Sequence, residues 1–112
     1  MRFSLFIQDS PDSGAAVASA LAFAIAVIDA GHAIRQVFFH GDGVRCARPG
    51  ADADHDLRAL TALAARHDIP LLACSSWLEK LGIMPTGPIR AGSLGQWCEA
   101  LDDSERVVSF RA

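Results

Sequence analysis

Cys74 closes the apolar run Ile69–Cys74 and is followed at once by Ser75, Ser76, Trp77 and Leu78. That order places a thiol where a buried strand gives way to a helix. Backbone N–H groups in the first turn of a helix lack carbonyl partners and carry the positive end of the helix dipole. The N–H groups of Ser75 and Ser76 would therefore stabilise a thiolate, the form of cysteine that acts as a nucleophile. The same position also suits a small apolar residue finishing a core strand, since free cysteine is among the most buried residue types. Cys46 lies in a loop near Arg45 and Arg48 and reads as a solvent-exposed bystander, while Cys98, beside Trp97, reads as core packing. His40 and Asp42 fall at the end of another strand, where they could orient or protonate a substrate. Turn chemistry alone also accounts for Gly41-Asp42-Gly43. His32, His55 and His67 have no metal-ligand spacing and read as surface residues, so no metal site is expected.

The elements that must position these groups alternate. Arg2–Gln8 reads as a strand ending in the turn-prone segment Asp9–Gly14, and Ala15–Ala30 as a helix buried on most faces, with Gly31 as its left-handed cap. Ala33–Phe39 is a second strand, followed by the glycine-bearing loop His40–Val44 and an irregular stretch to Asp54. Leu57, Leu60, Leu63 and Ala64 recur at helical spacing, with Asp52 and Asp54 near the positive end of that helix. Ile69–Cys74 is a central parallel strand. Ser76 with Glu79, and Ser93 with Gln96, stand at capping-box spacing and open two further helices, the first ended by Gly82. Met84–Gly92, with its prolines and glycines, reads as loop, and Arg106–Phe110 as the last strand. Strands alternating with helices imply an α/β fold, a mostly parallel sheet covered on both faces, with chemistry gathered at the carboxyl ends of the strands.

Composition narrows the function. A chain of 112 residues is the size of one domain with one core, which excludes separate cofactor and substrate lobes. A hydrophobic fraction of 51% with 21% charged residues is that of a globular protein. A net charge of −3 and few aromatics, 7%, give no general attraction for nucleic acid and no stacking platform, so neither direct nucleic-acid binding nor a membrane surface is expected. Three cysteines without C-x-x-C spacing point to free thiols in a reducing cytoplasm. Ala15–Ile28 is too short to span a bilayer, which needs about 20 apolar residues. Dinucleotide, P-loop and serine-hydrolase motifs are absent, and Cys74 occupies the place where a receiver domain would carry its phosphoacceptor aspartate.

Ordered landmarks along nearly the whole chain resemble the DsrE/TusD sulfur-relay family. They are the opening M-R-F-S-L-F-I, the A-x-x-x-A-G-H of Ala26–His32, V-F-F-H-G-D-G-V at Val37–Val44, A-C-S-S-W-L-E-K-L-G-I at Ala73–Ile83, S-L-G-Q at Ser93–Gln96, and the closing D-x-x-E-R-V-V-S-F. The resemblance implies a three-layer α/β/α sandwich with a sheet of four to five strands in the order 4-3-2-1-5, the fourth reduced by the short Met84–Gly92 segment. It implies that Cys74 accepts sulfane sulfur as a persulfide without any bound organic cofactor and passes it to a partner cysteine. His40 or Asp42 would assist. It further implies homologous subunits in a heterohexamer, an upstream sulfur-donor protein and a downstream acceptor. The outlet would be wobble-position tRNA 2-thiouridine synthesis or dissimilatory sulfur oxidation. The other reading of the same chain is a non-catalytic α/β assembly subunit.

Overall fold

The computed structural model describes residues 1–12 and 15–111. Five strands, β1 (Arg2–Ile7), β2 (Ala33–Phe39), β3 (Leu71–Cys74), β4 (Arg90–Gly92) and β5 (Arg106–Phe110), form one sheet in the order β4-β3-β2-β1-β5. All four pairings are parallel. The helices are α1 (Ala16–Asp29), α2 (His55–Arg66), α3 (Ser75–Leu81) and α4 (Leu94–Leu101). Side chains alternate across the sheet. Leu5, Ile7, Val37, Phe39, Leu71 and Ala73 are buried on the side of α1 and α2. Phe6, Phe38 and His40 face the other way, where Trp97 of α4 and Trp77 of α3 meet them. The result is the expected three-layer sandwich.

Local chemistry explains most boundaries. Asp54 caps α2 by accepting from Leu57 N at 2.9 Å. Ser93 and Gln96 form the expected reciprocal capping box, with Ser93 N donating to Gln96 Oε1 at 2.8 Å and Gln96 N to Ser93 Oγ at 3.1 Å. Gly82, at φ 67°, ends α3 in the left-handed region. β3 starts two residues later than expected because Pro70 has no N–H for the ladder, although its carbonyl still accepts from Val37 N at 3.0 Å.

Four expectations change. Ser76 and Glu79 are not a capping box: α3 already begins at Ser75, and Cys74 itself is the N-cap, without a side-chain capping bond. The segment that reads locally as loop contains β4, the reduced fourth strand implied by the resemblance, which pairs with Leu72–Cys74 in the expected strand order. Three residues are too few for an alternating pattern to register in sequence. The stretch after β2 is a 3-10 helix, Gly41–Ala47. Finally, α1 is not buried on most faces. Ala16, Val17, Ala20, Ala24 and Val27 are covered, while Ile25 is 43% exposed. A helix lying on one sheet can offer it only one stripe. Among the described residues no helix is long and apolar enough to cross a membrane.

Candidate functional site

The carboxyl edge of the sheet brings the candidate residues together. Phe38 pairs with Leu72 and Phe39 with Ala73, so the next residues, His40 just past β2 and Cys74 closing β3, follow side by side and on the same face. On its other side Cys74 pairs with Gly92 of β4. Cys74 has φ −56° and ψ 116°, which turns the chain from β3 into α3.

His40 sits in an aromatic row. Its ring stacks on Phe6 at 5.2 Å and meets Trp77 edge-on at 6.0 Å, and Phe6 in turn lies 5.0 Å from Trp97. Lys80 Nζ lies 4.7 Å from the centre of the Trp77 ring, setting a cation at the outer end of the row. Burial lowers the pKa of His40 below the usual 6.5, so its imidazole is neutral at neutral pH. Its backbone is fixed at both ends: His40 N donates to Ile7 O at 2.9 Å, and Gly43 N donates to His40 O at 2.9 Å. Gly43 is required there, because a Cβ would stand 2.2 Å from Ile7 O.

Asp42 is exposed and ion-paired with Arg45 at 3.2 Å, so it is drawn outward rather than into the aromatic row. Ser75 and Ser76 are exposed at the start of α3. Of the Asp9–Gly14 loop, Ser13 and Gly14 lie outside the described residues; Asp12 pairs with Arg48 at 2.9 Å. His55 and His67 are exposed, as expected, and His32 is half-buried against Phe3.

The cysteines depart from expectation. Cys46 is not an exposed bystander: it is buried at 3% exposure, with Sγ 4.0 Å from Asp9 O. Burial first, and then the negative charge of Asp54, push its thiol up to about 12, against the pull of Arg48. A thiol in that state is not a nucleophile near neutral pH. Cys98 is not packed in the core but exposed. Cys74 is buried at 2% exposure and belongs to the core cluster. Trp77 was not singled out in the sequence. Its signal was its spacing, because the third residue after an N-cap lies over the same first turn.

A cavity of about 360 Å³ on the α2 side is lined by Cys46, Arg48, Leu57, Arg58 and Thr86. It is separate from the aromatic row and contains none of its residues.

The model of the DsrE/DsrF-like family matches residues 1–110. A Sulfurtransferase TusD homolog of Vibrio parahaemolyticus is 30% identical, with 98% of each chain covered. Sulfurtransferase TusD of Proteus mirabilis is 38% identical over 82% of this chain and 85% of its own. Among solved structures, the YchN protein of E. coli superposes with a TM-score of 0.81 at 14% identity, covering 98% of this chain and 99% of its own.

Proposed function

The chain belongs to the DsrE/DsrF-like family, and from that premise we propose that it works in sulfur relay as a sulfurtransferase-type carrier, with Cys74 as the carrying residue. Its TusD-named relatives, similar over most of their length, support the sulfur-transfer chemistry. The single observation behind the choice of residue is the register that sets Cys74 beside His40 at the carboxyl edge of the sheet.

In the first step the Cys74 thiolate attacks the outer sulfur of a donor protein's persulfide. A new S–S bond forms on Cys74, the donor's S–S bond breaks, and the donor leaves as a thiolate. Neutral His40 takes the Cys74 thiol proton beforehand and returns it to the departing thiolate. The N–H groups of Ser75 and Ser76, which have no carbonyl partners within α3, are available to the sulfur anion. Asp42 contributes through Arg45, holding the loop that carries His40. In the second step a partner's thiolate attacks the outer sulfur and Cys74 leaves as thiolate. No net oxidation occurs in either transfer, and no organic cofactor is required. The donor, the acceptor and homologous subunits assemble around this edge in the cytoplasm, and the outlet is tRNA thiolation or sulfur oxidation.

A second reading rests on the burial of Cys74: a thiol at 2% exposure also suits a non-catalytic assembly subunit. One experiment separates the two. After incubation with a cysteine desulfurase and cysteine, intact-mass measurement should show one added sulfur on the wild type, Cys46→Ser and Cys98→Ser, and none on Cys74→Ser. A sulfur found on Cys74→Ser but lost from Cys98→Ser would mean adventitious loading of the exposed thiol and would favour the assembly subunit.

A further inference from the structure

Gln36 of β2 is 1% exposed, and its amide can be oriented without ambiguity. Ser104 Oγ donates to Ala100 O at 3.1 Å, so in its contact with Ser4 Oγ it must accept. Ser4 Oγ has then spent its proton and accepts from Gln36 Nε2 at 3.1 Å. The second Nε2 proton goes to Trp97 O at 3.2 Å, a carbonyl that can only accept, which fixes the amide against a flip. Every donor proton in this row of hydrogen bonds is assigned. Gln36 Oε1 is left buried with no partner among the described residues. A buried carbonyl without a donor costs about 1–3 kcal/mol, so a partner from outside the chain is favoured.

Gln36 lines a groove of about 400 Å³ together with Arg35, Leu72, Gln96, Glu99 and Asp103. Ser4, which takes one Nε2 proton, belongs to β1, and Leu72 of the groove belongs to β3, on the other side of β2. Arg35 and Asp103 pair at 3.5 Å and offset one another. Glu99 has no hydrogen-bond or ion-pair partner among the described residues, so the groove keeps one unmatched negative charge. Gln96 Oε1 is already engaged by Ser93 N. The groove thus offers one buried neutral acceptor, one carboxylate and an apolar wall of Leu72 and Pro70.

We propose that this groove binds a guanidinium group on an alkyl stem. The ligand must be cationic, because of Glu99, and must carry several N–H donors, because two separate acceptors await it. A planar guanidinium spreads its donors and sheds water more readily than a compact ammonium, which suits an acceptor at a buried floor. The stem lies on Leu72 and Pro70. The source is either an arginine side chain of a partner protein or a free guanidino compound.

The test is a nuclear magnetic resonance titration of the intact, nitrogen-labelled chain with ethylguanidinium, ethylammonium, and a capped five-residue peptide with arginine at its centre. Ethylguanidinium should shift the Gln36 side-chain amide and the backbone amides of Leu72, Gln96 and Glu99 in a saturable way. Ethylammonium should bind more weakly, and Glu99→Gln should weaken ethylguanidinium by about fivefold, the scale of one partly exposed charge contact. Arg35→Gln should not weaken it. A peptide that binds tighter than ethylguanidinium assigns the site to a protein arginine, and equal affinity assigns it to a free guanidino compound. Shifts that do not saturate, ethylammonium binding equally well, or Glu99→Gln without effect would each overturn the assignment.

Discussion

A cysteine's chemistry is decided by what surrounds its sulfur, and here the three environments differ. The acidity of Cys46 has a consequence for stability. Its pKa is raised to about 12 in the folded chain by burial and by Asp54, from an ordinary value of 9.0. The folded state therefore holds a proton that the unfolded chain gives up earlier. This contribution is fully present below pH 9 and is lost as pH rises towards 12, with an order of magnitude of about 4 kcal/mol. Urea unfolding followed between pH 8 and 11 should show falling stability in the wild type and a flatter profile in Cys46→Ala. The chain contains no tyrosine to add a competing phenolic titration. Matching slopes in the two proteins would mean that Cys46 ionises no differently in the fold. The burial of Cys46 was not legible in the sequence, because it comes from joining a core built from distant segments, and even its contact with Asp9 spans 37 positions. The exposure of Cys98 was misread as core packing although a local signal pointed the other way: neighbouring residues on a helix point about 100° apart, so burying Trp97 turns Cys98 outward.

At the scale of elements, β2 and β5 were readable to the residue, and so was the Ser93–Gln96 cap, because short apolar runs bounded by turn residues and capping pairs are local signals. The relation between β2 and the loop after it was not. The Gly41-Asp42-Gly43 run reads as an ordinary turn, yet Gly43 is where the 3-10 helix passes against the backbone of β1. That close approach holds His40 at the end of β2, so Gly43→Ala tests both fold and site. With a Cβ placed 2.2 Å from Ile7 O, a backbone atom that cannot swing aside, the substitution should cost about 2–3 kcal/mol. It should also slow sulfur loading of Cys74 relative to an equally destabilised variant elsewhere. A urea midpoint equal to that of the wild type would show that the loop moves freely and does not fix His40.

Over the whole molecule, apolar side chains remain uncovered in several places. Ile25 on α1, Leu94 on α4 and Val107 on β5 are 43%, 48% and 50% exposed, and Met84 is more open still. Both β4 and β5 are edge strands with one unpaired side. The proposed hand-over of sulfur between proteins needs such surface, and sedimentation at high concentration should show species heavier than the 11.9 kDa chain, alone or with homologous subunits added. A strict monomer that binds none of them would count against the relay assembly. The layer order and the parallel sheet were legible from the rhythm of strands and helices. The openness of α1 was not, because an almost wholly apolar helix carries no polar stripe to mark its outer side.

The sheet order has one mechanical consequence. β1 and β5 lie side by side and run the same way, Phe3 opposite Arg106 and Ile7 opposite Phe110. A pull applied ahead of β1 and beyond β5 acts along both strands in opposite directions. It loads their shared hydrogen bonds all at once in shear, instead of peeling them apart singly. The fold should thus resist opposed pulls applied ahead of β1 and beyond β5 and yield in one abrupt step, even though those two strands are short.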